Sequence, residues 1–305
     1  ISEAVDRTVS HLDYQPIETG TYPVCFTPEA FLSLLGAFSS MFNARYVLDG
    51  VSLSQRDSIG TDLAVPFFNL HDDGLHPGHI SAAAFDGEGT PTRRLSLIEG
   101  GILRNFLHSE ATARAFGVQP TGHAGLGAKV SVGPDWFVVG SNPQVSSGNS
   151  LDHRTESGPF VLIEDLSALH AGVKATQGSF SLPFDGWIIN DGKKTSIEAA
   201  TVAGDILKVL SSIVKIEDEQ IVTHQGISPH VWVENISITG GNGSGCVLQP
   251  ILGQRSRVLD FDSRDVFFNG GVDIINETIT FKTEHSLQDG QLVYYNANNL
   301  SLIHI

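Results

Sequence analysis

The stretch HDDGLHPGH, residues 71 to 79, sets His71, His76 and His79 beside Asp72 and Asp73. Imidazole nitrogens and carboxylate oxygens are good ligands for zinc, so His71, His76 and His79 form one candidate metal set. The glycines and the proline between them impose no spacing that aims the rings together, which makes a solvated loop the first reading. A metallopeptidase helix presents two histidines on one face with a glutamate as base, and the sequence contains no such pair. His123 in TGHAG and His170 in LHAG are each followed by glycine within two residues, where the backbone can bend. Each is a candidate general base or substrate contact, against the plainer reading of a buried imidazole bonded to a carbonyl.

Other reactive residues read as structural. Cys25 would need a base and an electropositive setting to act as a nucleophile, yet it sits in the apolar run PVCF and belongs in a core. Asp86 and Glu88 in FDGEG could pair as acid and base, but their glycine neighbours indicate a turn. The glycines near 124–128 do not lead from a strand into a helix, so they make a poor phosphate loop.

These residues must be positioned by elements that the sequence also announces. In TPEAFLSLLGAFSSMF, 27 to 42, Thr27 can cap a helix and Pro28 suits its first turn. Phe31, Leu34, Leu35, Phe38 and Phe42 then share one face of a helix spanning the whole stretch. RRLSLIEGGILRNFL, 93–107, predicts a hairpin around Glu-Gly-Gly, followed by a short helix from Ser109 to Phe116 that Gly117 stops. GWIINDGKKTSIE predicts a second hairpin with Asp191-Gly192 at its turn. ATVAGDILKVLSSI, 200–213, carries Val202, Ile206, Val209, Leu210 and Ile213 at helical spacing and predicts a helix. Strands are expected at 219–224 and 230–238.

The whole is an acidic α+β chain. Its 305 residues hold 18 Lys+Arg against 34 Asp+Glu, a net charge of −16. Phosphate backbones are bound by clustered basic residues, so nucleic acid is an unsuitable partner. No apolar run approaches the ~20 residues of a membrane helix. Two distant cysteines, Cys25 and Cys246, fit a reducing compartment better than a disulfide framework, and the expected location is cytoplasmic. The Asn-x-Ser/Thr triplets at Asn235, Asn242, Asn276 and Asn299 read as chance. Residues 1–240 form one mixed unit, 241–246 a Gly/Ser linker, and 247–299 a small β-rich segment. The final LSLIHI, 300–305, matches the translation of a transposon-end sequencing adapter and is set aside.

Four stretches, in order, resemble the C-terminal domain of the TldD/PmbA family. They are PVCFTPEAFLSLLGAF, FDGEGTPTRRLSLIEGGILRNFLHSEATARAFG, PTGHAG at 120–125, and LSALHAGVKATQGSFSLPFDGWIINDGKKTSIEAATVAGDIL. The resemblance runs from about residue 15 to 240 and does not extend to the β-rich segment. It implies mainly antiparallel sheets with a few packed helices, and a chain that lacks the family's N-terminal domain. In catalytic TldD-type members the first helix carries a His-Glu-x-x-x-His zinc motif. Here it reads Pro28, Glu29, Ala30, Phe31 and onward, without histidine, and a further cysteine ligand has no match near 222–232. The implied role is the PmbA/TldE-like subunit of a heteromeric peptidase, with no catalytic residues and no metal of its own. Zinc would sit in a TldD-type partner, and the substrate would be an extended, unfolded or leader peptide. The resemblance points to His123, His170 and Gly178, Ser179, Phe180 and Ser181 as substrate contacts. The alternatives are a stand-alone metal-dependent hydrolase using the histidine loop, and a non-enzymatic binding or structural module.

Overall fold

The computed structural model describes residues 14–142 and 158–240, with two short strands beyond them at 272–273 and 278–279. The chain divides into a unit of residues 1–247 and one of 248–305. In the second, Val272–Asp273 pairs antiparallel with Thr278–Ile279. The expected linker, most of the β-rich segment and the 300–305 tail lie outside the described residues.

In the first unit, strands of three or more residues are numbered here in chain order. β1 is Gly20–Phe26, β2 Phe68–Asp73, β3 Arg94–Glu99, β4 Phe137–Ser141, β5 Phe160–Leu166 and β6 Ser179–Asn190. β7 is Lys193–Ile197, β8 Ala200–Asp205, β9 Ile213–Ile216, β10 Gly226–Ser228 and β11 Val231–Gly240. The helices are short: α1 Pro28–Ala37, α2 Ala44–Leu48, α3 Glu110–Phe116 and α4 Ile206–Ser211.

One sheet closes on itself. β6 pairs with β8, β8 with β11, β11 with β1, β1 with β5, and β5 again with β6. Closure removes the unpaired edges that an open sheet would expose. β6 makes it possible because its 12 residues serve two neighbours on one side, β8 through Ser179–Phe184 and β7 through Trp187–Asn190. Its C-terminal half meets β5 on the other side. The second sheet runs Ile221–Val222, β10, β4, β2, β3, Ile102–Leu103. Most pairings are antiparallel, as expected; β1–β5 and β10–β4 are parallel.

Helix α1 joins the two sheets. Thr27 Oγ1 accepts from the Ala30 amide at 3.3 Å and donates to the Glu164 carbonyl, fixing the helix start to β5. Phe31 packs against Phe26 of the barrel and edge-on to Phe68 of the second sheet, both at 6.2 Å. Phe38 meets Phe180 and Phe42 meets Phe137 in the same edge-on manner. The three rings of this apolar stripe and the four they meet are buried in a common core.

Two helix boundaries differ from expectation. The helix starting at Pro28 ends at Ala37, and Ser39–Phe42 forms a 3₁₀ turn through i→i+3 bonds such as Met41 N–H to Phe38 O. The tighter winding delivers Phe42 to Phe137. The segment 200–213 is a helix only from Ile206 to Ser211. Ala200–Asp205 is instead a central barrel strand, hydrogen-bonded on both sides. Thr201 and Val202 are β-branched and fit a pleated sheet, while Asp205 caps the following helix through the Leu207 and Lys208 amides. Both hairpins and Gly117 match expectation, with Asp191 and Gly192 at positive φ in the turn. The strand expected over 219–224 shortens to Ile221–Val222.

Candidate functional site

Three residues distant in sequence converge at one end of β2. β2 alternates buried and part-exposed side chains, so Asp72 points inward while its neighbour His71 points away. Pairing of Asp72 with Phe137 brings the Gly133–Trp136 loop over the Asp72 carboxylate. Asp72 Oδ2 accepts from the Asp135 amide at 2.8 Å, and Oδ1 from the Trp136 amide at 3.2 Å. Asp72 is fully buried, and a buried carboxylate needs such donors.

His123 enters from the opposite side. Gly122 holds φ at +80°, and a Cβ there would stand 2.5 Å from the Pro91 carbonyl oxygen, so this turn admits no larger residue. Next to it, the Asp86 Oδ2 oxygen accepts from the Ala124 amide at 3.0 Å, tying the residue after His123 to the FDGEG turn. Asp86 Oδ1 meanwhile accepts from the Glu88 and Thr90 amides. FDGEG is thus a turn whose acid is consumed by backbone donors. Glu88 accepts from the Glu110 amide at the start of α3.

The His123 side chain is fully buried, with Nδ1 2.9 Å from Thr121 Oγ1. Thr121 Oγ1 also accepts from the His108 amide at 2.7 Å and lies 3.2 Å from the His108 carbonyl. His123 Nδ1 and Thr121 Oγ1 thus share a hydrogen bond whose direction follows the tautomer of the ring. Its Nε2 lies 3.5 Å from Asp72 Oδ1 and has no hydrogen-bond partner. Asp135, exposed on its loop, completes the group: one ligand atom from each of Asp72, His123 and Asp135 lies within 4.8 Å of the others. The residue as a whole is exposed, but its carboxyl is partly desolvated by the site, and that, followed by the neighbouring Asp72 carboxylate, holds it above the usual range. A cavity of about 250 Å³ opens here, lined by His123, Asp135, Asp86, Thr92 and Ser131.

The histidine loop divides differently from the set His71, His76, His79. His71 belongs to a strand, and burial followed by the charge of Arg94 lowers its pKa. His76 and His79 pack on the Trp136 ring at 4.9 and 5.3 Å, and His76 Nδ1 accepts from the Gly78 amide. Among the described residues these three histidines form no metal-holding group. His76 and His79 clasp the tryptophan that follows Asp135.

His170 lies in an adjoining cleft of about 530 Å³ along α1, with Leu32, Ser33, Gly36, Leu169 and Gln225, which shares Pro134 and Asp135 with the first cavity. Ser33 Oγ donates to Gln225 Oε1 at 3.1 Å across its floor. The stretch Gly178–Ser181 lines neither cavity. Phe180 is in the core, and residues 179–180 are paired on both sides, with Val173–Lys174 and with β8. Cys25 is buried, and desolvation pushes its thiol well up, as expected of a packing residue. Sequence reasoning missed Asp72 as an inward-facing group and Asp135 altogether. The alternation of FNLHDD in β2 was the one available signal for the former.

Comparison with known proteins places this architecture. Residues 19–240 match the PmbA/TldA metallopeptidase C-terminal domain. The Metalloprotease PmbA of Escherichia coli O157:H7 is 26% identical over 223 residues, covering 72% of this chain and 46% of that protein. A Haemophilus influenzae Metalloprotease PmbA homolog is 24% identical over 219 residues, covering 70% and 45%. The chain thus spans about half the length of these relatives. A Thermotoga maritima structure labelled as a modulator of a DNA gyrase superposes with a TM-score of 0.68 at 30% identity, covering 77% of this chain and 54% of that one. TldE from Thermococcus kodakarensis shares the fold, with a TM-score of 0.66 at 23% identity and coverage of 78% and 55%. With its closed barrel, second sheet and matched span, this chain belongs to the PmbA/TldD metallopeptidase family.

Proposed function

We propose that this chain is the PmbA/TldE-like subunit of a two-component peptidase, and that a TldD-type partner supplies the catalytic zinc. The observation that carries the reading is the α1 cleft. If the His-Glu-x-x-x-His spacing is laid on Pro28 and Glu29, the second histidine position falls on Ser33. That side chain is hydrogen-bonded to Gln225, in the segment where the cysteine ligand of active members has no counterpart. A proline, a serine and a glutamine offer no zinc set. Pro28 is also buried as the first helical residue, where it packs. Zinc bound by a partner would polarise a peptide carbonyl and activate water; this subunit would hold the substrate.

An extended peptide fits this cleft. Its walls are mostly apolar, and its polar groups are few: Ser33, His170, Gln225 and Asp135. Ile221–Val222 is the edge of the second sheet, and the chain turns from it directly into Gln225. An unfolded or leader peptide can add to such an edge as a further strand, its side chains entering the cleft. Val222, exposed, gives that edge an apolar face. No helix among the described residues is long and apolar enough to cross a membrane, and a cytoplasmic location agrees with the paucity of cysteine.

The test is cleavage of an unstructured peptide by this chain alone and with a co-expressed TldD-type partner, with and without chelator. Cleavage that requires the partner is the expected result. Chelator-sensitive cleavage by this chain alone would replace the proposal with a stand-alone hydrolase.

A further inference from the structure

We propose that Asp72, His123 and Asp135 form a binding site for a first-row divalent cation, separate from the α1 helix positions where active members of the family carry zinc. The case begins with the buried lone pair of His123. Nδ1 is 2.9 Å from the Thr121 hydroxyl, and that hydroxyl can send its proton to the His108 carbonyl, which leaves Nδ1 as the donor in one tautomer of the ring. A neutral His123 then turns an unprotonated Nε2 toward Asp72 Oδ1. In that tautomer two acceptors face each other 3.5 Å apart on wholly buried side chains, and in either tautomer Nε2 has no hydrogen-bond partner. Such an arrangement asks for a positive centre.

A proton or a metal ion could supply it. A proton on Nε2, of a neutral or a charged ring, would draw the carboxylate to about 2.7–2.9 Å, the length of a charge-assisted hydrogen bond, and the observed gap is wider. Metal bonds of about 2.0–2.2 Å put neighbouring ligand atoms some 3–4 Å apart, which the His123–Asp72 pair already satisfies. Asp72 keeps lone pairs free after its two backbone bonds, since a carboxylate offers about four acceptor sites. Asp135 supplies a third ligand from an exposed loop, free to close the remaining distance. The other coordination positions would face the cavity and its polar wall of Thr92 and Ser131. One imidazole and two carboxylates suit zinc or manganese, whereas magnesium and calcium prefer oxygen alone.

The proposal is independent of the peptidase reading, and its test needs no partner. The full chain, stripped with chelator, is titrated with zinc chloride and with manganese chloride by calorimetry, and bound metal is counted by elemental analysis. One equivalent is expected. Asp135→Asn, a surface change that leaves the fold intact by circular dichroism, and His123→Gln should each weaken binding at least about tenfold, as loss of a ligand does. A variant with His76→Ala and His79→Ala should bind as the parent does. Absence of stoichiometric uptake would overturn the proposal, and so would uptake indifferent to both ligand variants or lost only with the loop histidines. Nitrogen NMR adds a readout that survives a misfolded variant. Metal should shift His123 Nε2 in the parent protein; a doubly protonated His123 near neutral pH, unmoved by zinc, would assign the gap to a proton and end the proposal.

Discussion

At the scale of single residues, the environment of His123 extends through Thr121 to the backbone of a second histidine, His108. His108 is buried between Phe106 and Phe116, with Nδ1 3.2 Å from Thr112 Oγ1. Burial, then the proximity of His123, push its pKa down to about 4, against a smaller opposing effect of Thr112. The folded state therefore resists a proton that the unfolded chain accepts near pH 6.5. Stability from this group is complete above that value and falls as the pH drops from about 6.5 toward 4, by a total on the order of 3 kcal/mol. Urea unfolding of the parent and of His108→Asn across that window tests it. The variant should lose less stability on acidification, and parallel curves would refute the assignment.

At the scale of elements, α1 shows how much local pattern can decide. Its cap, its first-turn proline and its apolar stripe are all in the sequence, and all are in the structure. Thr27 does two things, capping the helix and bonding to Glu164 in β5. Thr27→Ala should therefore cost about 1–2 kcal/mol, at or above the usual loss of a cap, measured by chemical denaturation. A loss under about half of that would mean that the tie to β5 contributes nothing. The 200–213 segment shows the opposite case. Its residues at helical spacing also satisfy alternation over Ala200, Val202 and Gly204, so the pattern is ambiguous. Pairing with β6 and β11 decides for a strand up to the point where Asp205 caps a helix.

At the scale of the whole molecule, the barrel is closed where β6 meets β5. The register shifts between Asp185 and Gly186, and a Cβ on Gly186 would run into the Leu162 carbonyl oxygen. Gly186→Ala should force these strands apart and destabilise the protein by about 2–4 kcal/mol, in the range of overpacking. A thermal melt within a degree or two of the parent would show that the closure can yield. The same closure leaves Ile221–Val222 as an edge of the second sheet, the edge that the proposed peptide addition would use.

Sequence alone determined the α1 cap and stripe, the two hairpin turns, the FDGEG turn and the family, because each depends on residues near one another along the chain. The family's four stretches also carried the absence of histidine from α1. Tertiary structure alone decided the closed barrel and the convergence of Asp72, His123 and Asp135. Asp72 and Asp135 are brought together by β2–β4 pairing, and His123 arrives through a turn pinned by Asp86. The candidate set His71, His76 and His79, the runner-up to a solvated loop, is not brought together among the described residues for the same reason. One histidine lies on a strand facing away from Asp72 and two stack on a tryptophan, outcomes set by pleat and packing rather than by spacing in the chain.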